Sequence, residues 1–550
     1  MRKNILLRFL VCALSLCSLP VMATRYHVNI NSGDDANDGL KWSSAFENLQ
    51  TALDTAKTGD EIWIAAGTYH PTKKIADVYG KGNLEPTNER HRSFMIPKNV
   101  KVYGGFPAGA TDATSMSSRN WKEHQTILSG DFDDNDGDNF ENMGENAYHV
   151  VILFDATPST VLDGLYITGG CADDDATTYT DEDYIYYVTG VDGGGIYAHS
   201  PASVSSPTIS DVSFYGNYAK AAGGAMLNYA DTDDASPEMT NVSFIQNKAA
   251  NRHGGGLFNS GVRIQATLTN VNVVGNASNY SGGGLYFLTL GEDICSPTIT
   301  NTVVNGNYAK NGNGGGIYIA TYGGDAEPYI INSTICGNRM ETTGGKDGGG
   351  LAILAEGVSK AHILNTVIWG NKGVNHDNFY TEGTWGIQNT ISGSLIEGDD
   401  LGDTNLPGDT DPKFLDAVDA TFAPTLEGDY QLTLESPLIN KGINDYISAS
   451  IDLLDHPRIF DGTVDIGAYE SQGKTPVNNE AIFSEKAIWS YNSHLYVRIG
   501  QPATLYVYSL DGTLVKHINN LGQGSYEYSL PQGIYIVTLS DGTTEKVVIR

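Results

Sequence analysis

The sequence predicts an all-β protein, a parallel β-helix followed by a small C-terminal β-sandwich, and three observations lead there. The first is a glycine cluster followed by apolar residues, written six times as Gly193-Gly194-Gly195-Ile196-Tyr197, Gly223-Gly224-Ala225-Met226-Leu227, Gly254-Gly255-Gly256-Leu257-Phe258, Gly282-Gly283-Gly284-Leu285-Tyr286, Gly314-Gly315-Gly316-Ile317-Tyr318 and Gly348-Gly349-Gly350-Leu351-Ala352. Its steps are 30, 31, 28, 32 and 34 residues. The second is a phrase ending on asparagine: Phe214-Tyr215-Gly216-Asn217, then the endings Asn247, Asn276, Asn307, Asn338 and Asn371, stepping by 30, 29, 31, 31 and 33. The third is the alternation of apolar with small polar residues in stretches such as Pro207 to Phe214 and Pro297 to Val304, rich in Val, Ile and Thr, which reads as half-buried strand. Two phrases locked to one period with ragged residues between them describe stacked units whose loops vary.

Three glycines in a row would weaken a helix by roughly 1 kcal/mol each. They suit a corner where the backbone turns and neighbouring coils approach closely. With coils about 4.8 Å apart, the six asparagines come into register, and buried turn amides satisfy one another as a hydrogen-bonded ladder. The alternative is a row of ligands for a bound molecule.

The paired Gly-Gly-apolar and Phe-x-x-Asn phrases resemble the repeats of the polymorphic outer-membrane protein family and, more widely, surface-exposed right-handed β-helix proteins of the pectate-lyase-like fold. The resemblance covers roughly residues 160 to 400, and Gly223-Gly224-Ala225-Met226 is the copy close to the family's alanine form. It implies a right-handed parallel β-helix displayed on a cell surface. No transporter-like barrel follows the repeats, so a self-exporting mechanism is not implied.

Taken in order, residues 1–23 read as an export signal: Arg2, Lys3 and Arg8, a mostly apolar run from Ile5 to Leu19, and a cleavage site at Val21-Met22-Ala23. Cys17 raises a lipoprotein alternative, but Leu16 stands where a lipobox needs a small residue. No later stretch approaches the roughly 20 apolar residues of a transmembrane helix. Removing the signal takes the formal net charge from −32 to −35. Such a surface is soluble, repels nucleic acid and attracts divalent cations. Of five cysteines, Cys171, Cys295 and Cys336 remain, an odd number at wide spacing that suggests neither a disulfide framework nor a zinc site.

Residues 24–400 are assigned to the β-helix. Its N-terminal cap, Arg25 to about Pro71, contains a first strand from Tyr26 to Ile30, a turn from Asp34 to Gly39, a short helix with Phe46, Leu49, Leu53 and Ala56 on one face, and a strand from Ile62 to Tyr69. Early coils follow through Gly170. Between them lies Asp131-Phe132-Asp133-Asp134-Asn135-Asp136-Gly137-Asp138, whose carboxylates Asp131, Asp133, Asp134, Asp136 and Asp138 suggest a calcium loop. The phase is wrong for the standard loop, since counting back from Gly137 puts Phe132 at the first ligand position; a solvated acidic loop is the alternative. A second acidic insertion, Asp173 to Asp183, reads as a surface loop.

After Asn371 the period fades into residues 401–472. There Asp411-Pro412-Lys413-Phe414, Gly428-Asp429-Tyr430-Gln431-Leu432, Ser436 to Gly442 and Asp465-Ile466-Gly467-Ala468-Tyr469-Glu470 resemble, in order, the choice-of-anchor Q module. That resemblance implies closure of the C-terminal end of the coil stack, with Asn440 and Asp452 as turn residues. A polar linker, 473–480, leads to residues 481–550, where five basic and five acidic residues cancel. Strands are legible at Ala503 to Tyr508, Leu514 to Ile518, Gly533 to Leu539 and Lys546 to Ile549, with Asp511-Gly512 and Asp541-Gly542 as turns. Leu510-Asp511-Gly512, Leu530-Pro531-Gln532-Gly533-Ile534-Tyr535 and the end from Lys546 to Arg550 resemble a type A sorting domain of the type IX secretion system. The resemblance implies export across both membranes of a Bacteroidota-type bacterium, with the secretion machinery as partner and the cell surface or medium as destination.

Three function classes follow: a non-catalytic adhesin or glycan-binding scaffold, a polysaccharide lyase or glycoside hydrolase on the same fold, and a structural surface-layer component. Catalysis needs a calcium cluster with a basic residue nearby or two carboxylates about 5 to 10 Å apart, and no motif marks either. The turns after the asparagines carry Tyr218, Lys220, Lys248, Arg252, Tyr280, Tyr308, Lys310 and Arg339, with Lys346 beyond. In a solenoid these form a stripe along one edge, fit to hold an anionic polysaccharide or host glycan by charge and ring stacking; turn decoration is the alternative.

Overall fold

The computed structural model describes residues 23–75, 88–174, 178–180, 187–342 and 347–473, and in the C-terminal part 488–491, 494–499, 503–509, 513–521, 524–531, 533–540 and 544–549. The signal segment up to Met22, Lys346, the linker from 474, and the Asp511-Gly512 and Asp541-Gly542 turns lie outside these residues.

Parallel pairing in constant register builds the stack. Arg25–Val28 pairs with Glu61–Ala65, that strand with Lys101–Phe106, and that with Val161–Thr168. From Thr208–Tyr215 onward every coil adds equivalent strands as far as Leu395–Ile396. Three parallel sheets result. A 19-stranded sheet forms one long face, a nine-stranded sheet runs from Phe94–Ile96 to Phe379–Gly383 and takes its strands from the glycine clusters, and a narrow six-stranded sheet runs from Cys171–Ala172 to Arg339–Thr342. The chain is therefore a parallel β-helix.

Side chains inside the coil stack by register. Ile167, Phe214, Phe244, Val273, Val304, Ile335, Ile368 and Ile396 form one file. All are fully buried, and the Phe214 and Phe244 rings stack nearly parallel with centres 5.1 Å apart. Over this core the helix Leu49–Thr55 lays Leu49, Ala52 and Leu53, covering the open end whose backbone groups would otherwise lack partners.

The corners explain the repeated phrases. Preceding the ladder asparagine, Gly275 has φ 65° and Gln246 has φ 53°, a left-handed turn that glycine adopts without strain. In the glycine cluster the reason is space: a Cβ on Gly224 would lie 2.3 Å from the carbonyl oxygen of Gly255 in the next coil. The stretch from Pro297 to Val304 is not the single strand its alternation suggests. Thr298–Thr300 and Val303–Asn305 are separated by Asn301 at φ 49°, and Asp211, Asn241, Asn270, Asn332 and Asn365 stand at the same left-handed bend. Their side chains bond along the axis, Asn241 Nδ2 to Asp211 Oδ1 at 2.9 Å and Asn270 Nδ2 to Asn241 Oδ1 at 3.1 Å. Thr178–Thr180, in the second acidic insertion, pairs antiparallel with Tyr187–Thr189 beyond it.

Residues 401–472 take a path different from simple closure of the end. Leu401 to Leu406 does seat on the last coil, where Leu406 N donates to Ser394 O at 3.0 Å. The remainder runs back along the flank of earlier coils: Thr425 N donates to Gly306 O, Ala468 N to Thr334 Oγ1, and Asn301 Nδ2 to Ile451 O, at 3.0, 3.0 and 2.7 Å. Asn440 is left-handed, and buried Asp452 accepts the Leu454, His456 and Glu470 amides. Toward the C-terminus two antiparallel sheets, one of three strands and one of four, enclose a separate core of Ile488, Leu495, Val497, Leu505, Val507, Val537 and Leu539. Its strands include Ile488–Tyr491, His494–Ile499 and Gly524–Ser529, which the sequence reading did not separate.

Candidate ligand-binding surface

The narrow sheet follows the asparagine corner, and the two-residue period of a strand sorts its side chains. Ala172, Ala219, Ala249, Ser278, Ala309 and Met340 turn inward and are buried. The residues before them turn outward in register: Tyr218 pairs with Lys248, Lys248 with Ala277, Ala277 with Tyr308, Tyr308 with Arg339, and Arg339 with Lys372. Tyr218, Lys248, Tyr308 and Arg339 therefore share one file, interrupted at Ala277 and extended by Lys372. Lys220 and Lys310 follow the inward Ala219 and Ala309; Lys310 is exposed and Lys220 half-buried. Arg252 and Tyr280 are exposed on the next turn, where Tyr280 N donates to Arg252 O at 2.8 Å and the Tyr280 ring meets His253 at 5.6 Å.

Charges along this edge are unequally used. Arg339 lies 5.7 Å over the Tyr308 ring, pairs with Glu341 at 3.6 Å and donates to Thr421 O at 3.1 Å. The Tyr308 hydroxyl donates to the Glu341 carboxylate, and burial together with that carboxylate pushes the phenol up to about 12. Lys372 pairs with Asp377 at 2.9 Å. Among the described residues no ion pair engages Lys248, Arg252 or Lys310. At the head of the file Phe140 leans on Tyr218 with ring centres 5.9 Å apart, and Lys248 Nζ sits 5.6 Å from the Phe140 ring centre. Burial raises the Tyr218 phenol, with Cys171 and Asp173 adding to it. Phe422, next to Thr421, is 70% exposed.

The six asparagines lie behind this edge, five fully buried and Asn371 nearly so. Each Nδ2 donates to the next coil's Oδ1: Asn217 to Asn247 at 3.1 Å, Asn247 to Asn276, Asn276 to Asn307 and Asn338 to Asn371 at 2.9 Å, and Asn307 to Asn338 at 2.8 Å. Asn371 continues the series to Asn378 at 3.0 Å. With every amide engaged along the axis or on a carbonyl, the row serves the stack.

The acidic loop sits at the N-terminal end of that row, where Gly170 N donates to Asn217 Oδ1 at 3.0 Å. It brings Asp131 and Asp136 together with Glu145, which the sequence reading did not single out, one oxygen from each lying within 4.8 Å of the others. Of the three, Asp131 is buried, Glu145 half-buried and Asp136 exposed; Asp133 and Asp134 are exposed and outside the cluster, Asp134 lying 3.7 Å from His70, and the side chain of Asp138 lies outside the described residues. Although the residue is exposed, partial desolvation of its carboxyl, with Asp131 and Glu145 adding like charge, pushes Asp136 up to about 6 against a hydrogen bond from Asn146.

Register and corners thus define a parallel β-helix with basic and aromatic side chains repeated along one external edge. In comparisons with known proteins, no family model matches the chain, and no curated protein matches it. Among solved structures it is similar to the pectate lyase Pel9A, with 14% identity and a TM-score of 0.37, covering 82% of this chain and 96% of that one. It is also similar to XylC in its complex with xylose, with 8% identity and a TM-score of 0.26, covering 94% and 100%. At these values neither brings a substrate or a residue role to this chain, whose fold rests on its own strand register. No helix among the described residues is long and apolar enough to cross a membrane.

Proposed function

We propose that the chain is a type IX-exported surface or secreted β-helix that binds an anionic glycan along its narrow sheet without transforming it. The observation that carries this reading is the registered file of Tyr218, Lys248, Tyr308 and Arg339, flanked by Lys310 and Arg252. Cations and rings recurring at a coil spacing of about 4.8 Å match a polymer that presents charge and sugar faces repeatedly. Lys248, Arg252 and Lys310 supply charge that no described acid neutralises, on a chain whose overall charge is −32. Each exposed contact contributes a few tenths to about 1 kcal/mol, so affinity comes from several engaging together. The C-terminal sandwich, with its own core, acts as the export signal and stands apart from the binding body.

The test is a glycan array followed by titration calorimetry against the acidic hits. Binding should fall steeply with salt, because such contacts are screened beyond about 8 Å at physiological ionic strength. Replacing Lys220, Lys248, Arg252, Lys310 and Arg339 together by Ser should abolish it while circular dichroism stays native. Unchanged binding by that folded variant would refute the assignment of the edge.

A further inference from the structure

The loop between Thr126–Ser129 and Val151–Phe154 contains a cluster of carboxylates that protein groups satisfy only in part: Asp131 accepts the Asp133, Asn135 and Asp136 amides, and Asp136 accepts from Asn146. Asp131, Asp136 and Glu145 converge, each offering an oxygen within 4.8 Å of the others. Among the described residues no Lys, Arg or His pairs with any of the three. Glu145 Oε1 is buried and accepts no hydrogen bond. Asn146 is fully buried, and its amide is seated against the cluster, with Nδ2 2.8 Å from Asp136 Oδ2 and from Gly169 O. Its Oδ1, on the same terminal group, is buried with no partner. Buried oxygens on Glu145 and Asn146 without donors, beside converging like charges, favour a cation as their common partner, because buried oxygens otherwise find donors.

We propose that Asp131, Asp136, Glu145 and the Asn146 amide oxygen bind one calcium ion, with water completing its shell. The donors are all hard oxygens, which excludes soft metals. Oxygens within 4.8 Å of one another can share one cation, and calcium, which takes six to eight oxygens in flexible geometry with water among them, suits carboxylates drawn from an irregular loop better than magnesium with its strict octahedron. The bound ion ties residues 131 and 136 to 145 and 146 and closes the loop that carries Phe140 onto Tyr218. This holds whether or not the neighbouring file binds a glycan.

The experiment titrates calcium chloride into the purified, chelator-stripped protein by calorimetry, with terbium luminescence as a second readout. One saturable site is expected below about 1 mM. Glu145→Gln, whose side chain makes no described hydrogen bond, should weaken it about tenfold or more, while Asp133→Asn and Asp134→Asn leave it unchanged. Hydrogen exchange on the unmodified protein should show residues 131–146 protected by calcium. Absence of saturable binding, wild-type affinity in Glu145→Gln, an equal loss in Asp133→Asn, or no protection of the loop would each overturn the proposal.

Discussion

Replacing Asn307 by Ala tests how much the asparagine row contributes. Asn307 is fully buried, and its Oδ1 accepts from the Asn276 backbone amide and from Asn276 Nδ2, both at 2.9 Å. Its Nδ2 donates to Val273 O, Asn305 O and Asn338 Oδ1 at 2.8, 3.1 and 2.8 Å. Truncation leaves the Asn276 amide without its acceptor and removes a donor from three oxygens. A stranded buried group costs about 1–3 kcal/mol, and a small cavity adds to it, so a loss of roughly 2–5 kcal/mol is expected. Asn270→Ala is the control: that residue is only half-buried and its main demand is φ 56°, which alanine meets at a cost of about 1–2 kcal/mol. Solenoids do not always unfold in one step, so the assay is native-state hydrogen exchange on coils around residues 276 and 307 together with urea unfolding. A loss for Asn307→Ala no greater than that for Asn270→Ala would refute the claim that the buried row, rather than turn geometry, locks these corners.

Gly224→Ala should destabilise by about 1–3 kcal/mol because its Cβ meets Gly255 O at 2.3 Å, whereas Gly216→Ala meets nothing within 4 Å and bears only the strain of φ 64°; melting of the two variants distinguishes crowding from strain. His149 is 1% exposed, and burial holds it down to about 4, against a contact with the Gly193 carbonyl. Its folded value lies below its unfolded one, so the neutral form is required: stability is full above about pH 6.5 and falls by roughly 3 kcal/mol as pH drops toward 4, and His149→Gln should flatten this slope in melts across that range. Deleting residues 481–550 should leave the melting of the β-helix unchanged, since the sandwich has its own core, and should hold the chain in the periplasm of the producing cell; normal surface display would contradict its export role.

Much of the coil was legible because two residue types are demanded at fixed corners, glycine where coils crowd and asparagine where buried amides must pair. The second corner carries the same signal, since Asn241, Asn270, Asn301, Asn332 and Asn365 step by 29, 31, 31 and 33 residues. It was hidden because a polar residue inside an alternating stretch passes for the solvent face of a strand. Lys372 directly follows Asn371 as Tyr218 follows Asn217 and Lys248 follows Asn247, so the rule that this position faces outward finds it. Phe140 and Glu145 belong to a loop outside the period, and only the folded chain shows that they meet Tyr218 and Asp131. The acidic string suggested a serial loop, but Asp131 turns back to accept the amides of Asp133, Asn135 and Asp136, which leaves the intervening carboxylates outside the cluster.

The return path of residues 411–471 bears on the order in which the molecule acquires its structure. Coils up to about Asn276 draw partners chiefly from adjoining turns and can settle as they emerge from an N- to C-terminal process. Later coils await contacts from far downstream: Asn301 with Ile451, Thr334 with Ala468, Asn365 with Ile443. Closing loops of that length is slow compared with nearest-neighbour stacking, so the C-terminal third of the solenoid reaches its final form only after residue 468 is available. Assembly therefore proceeds as a steady wave of local additions and ends in a single late clasp.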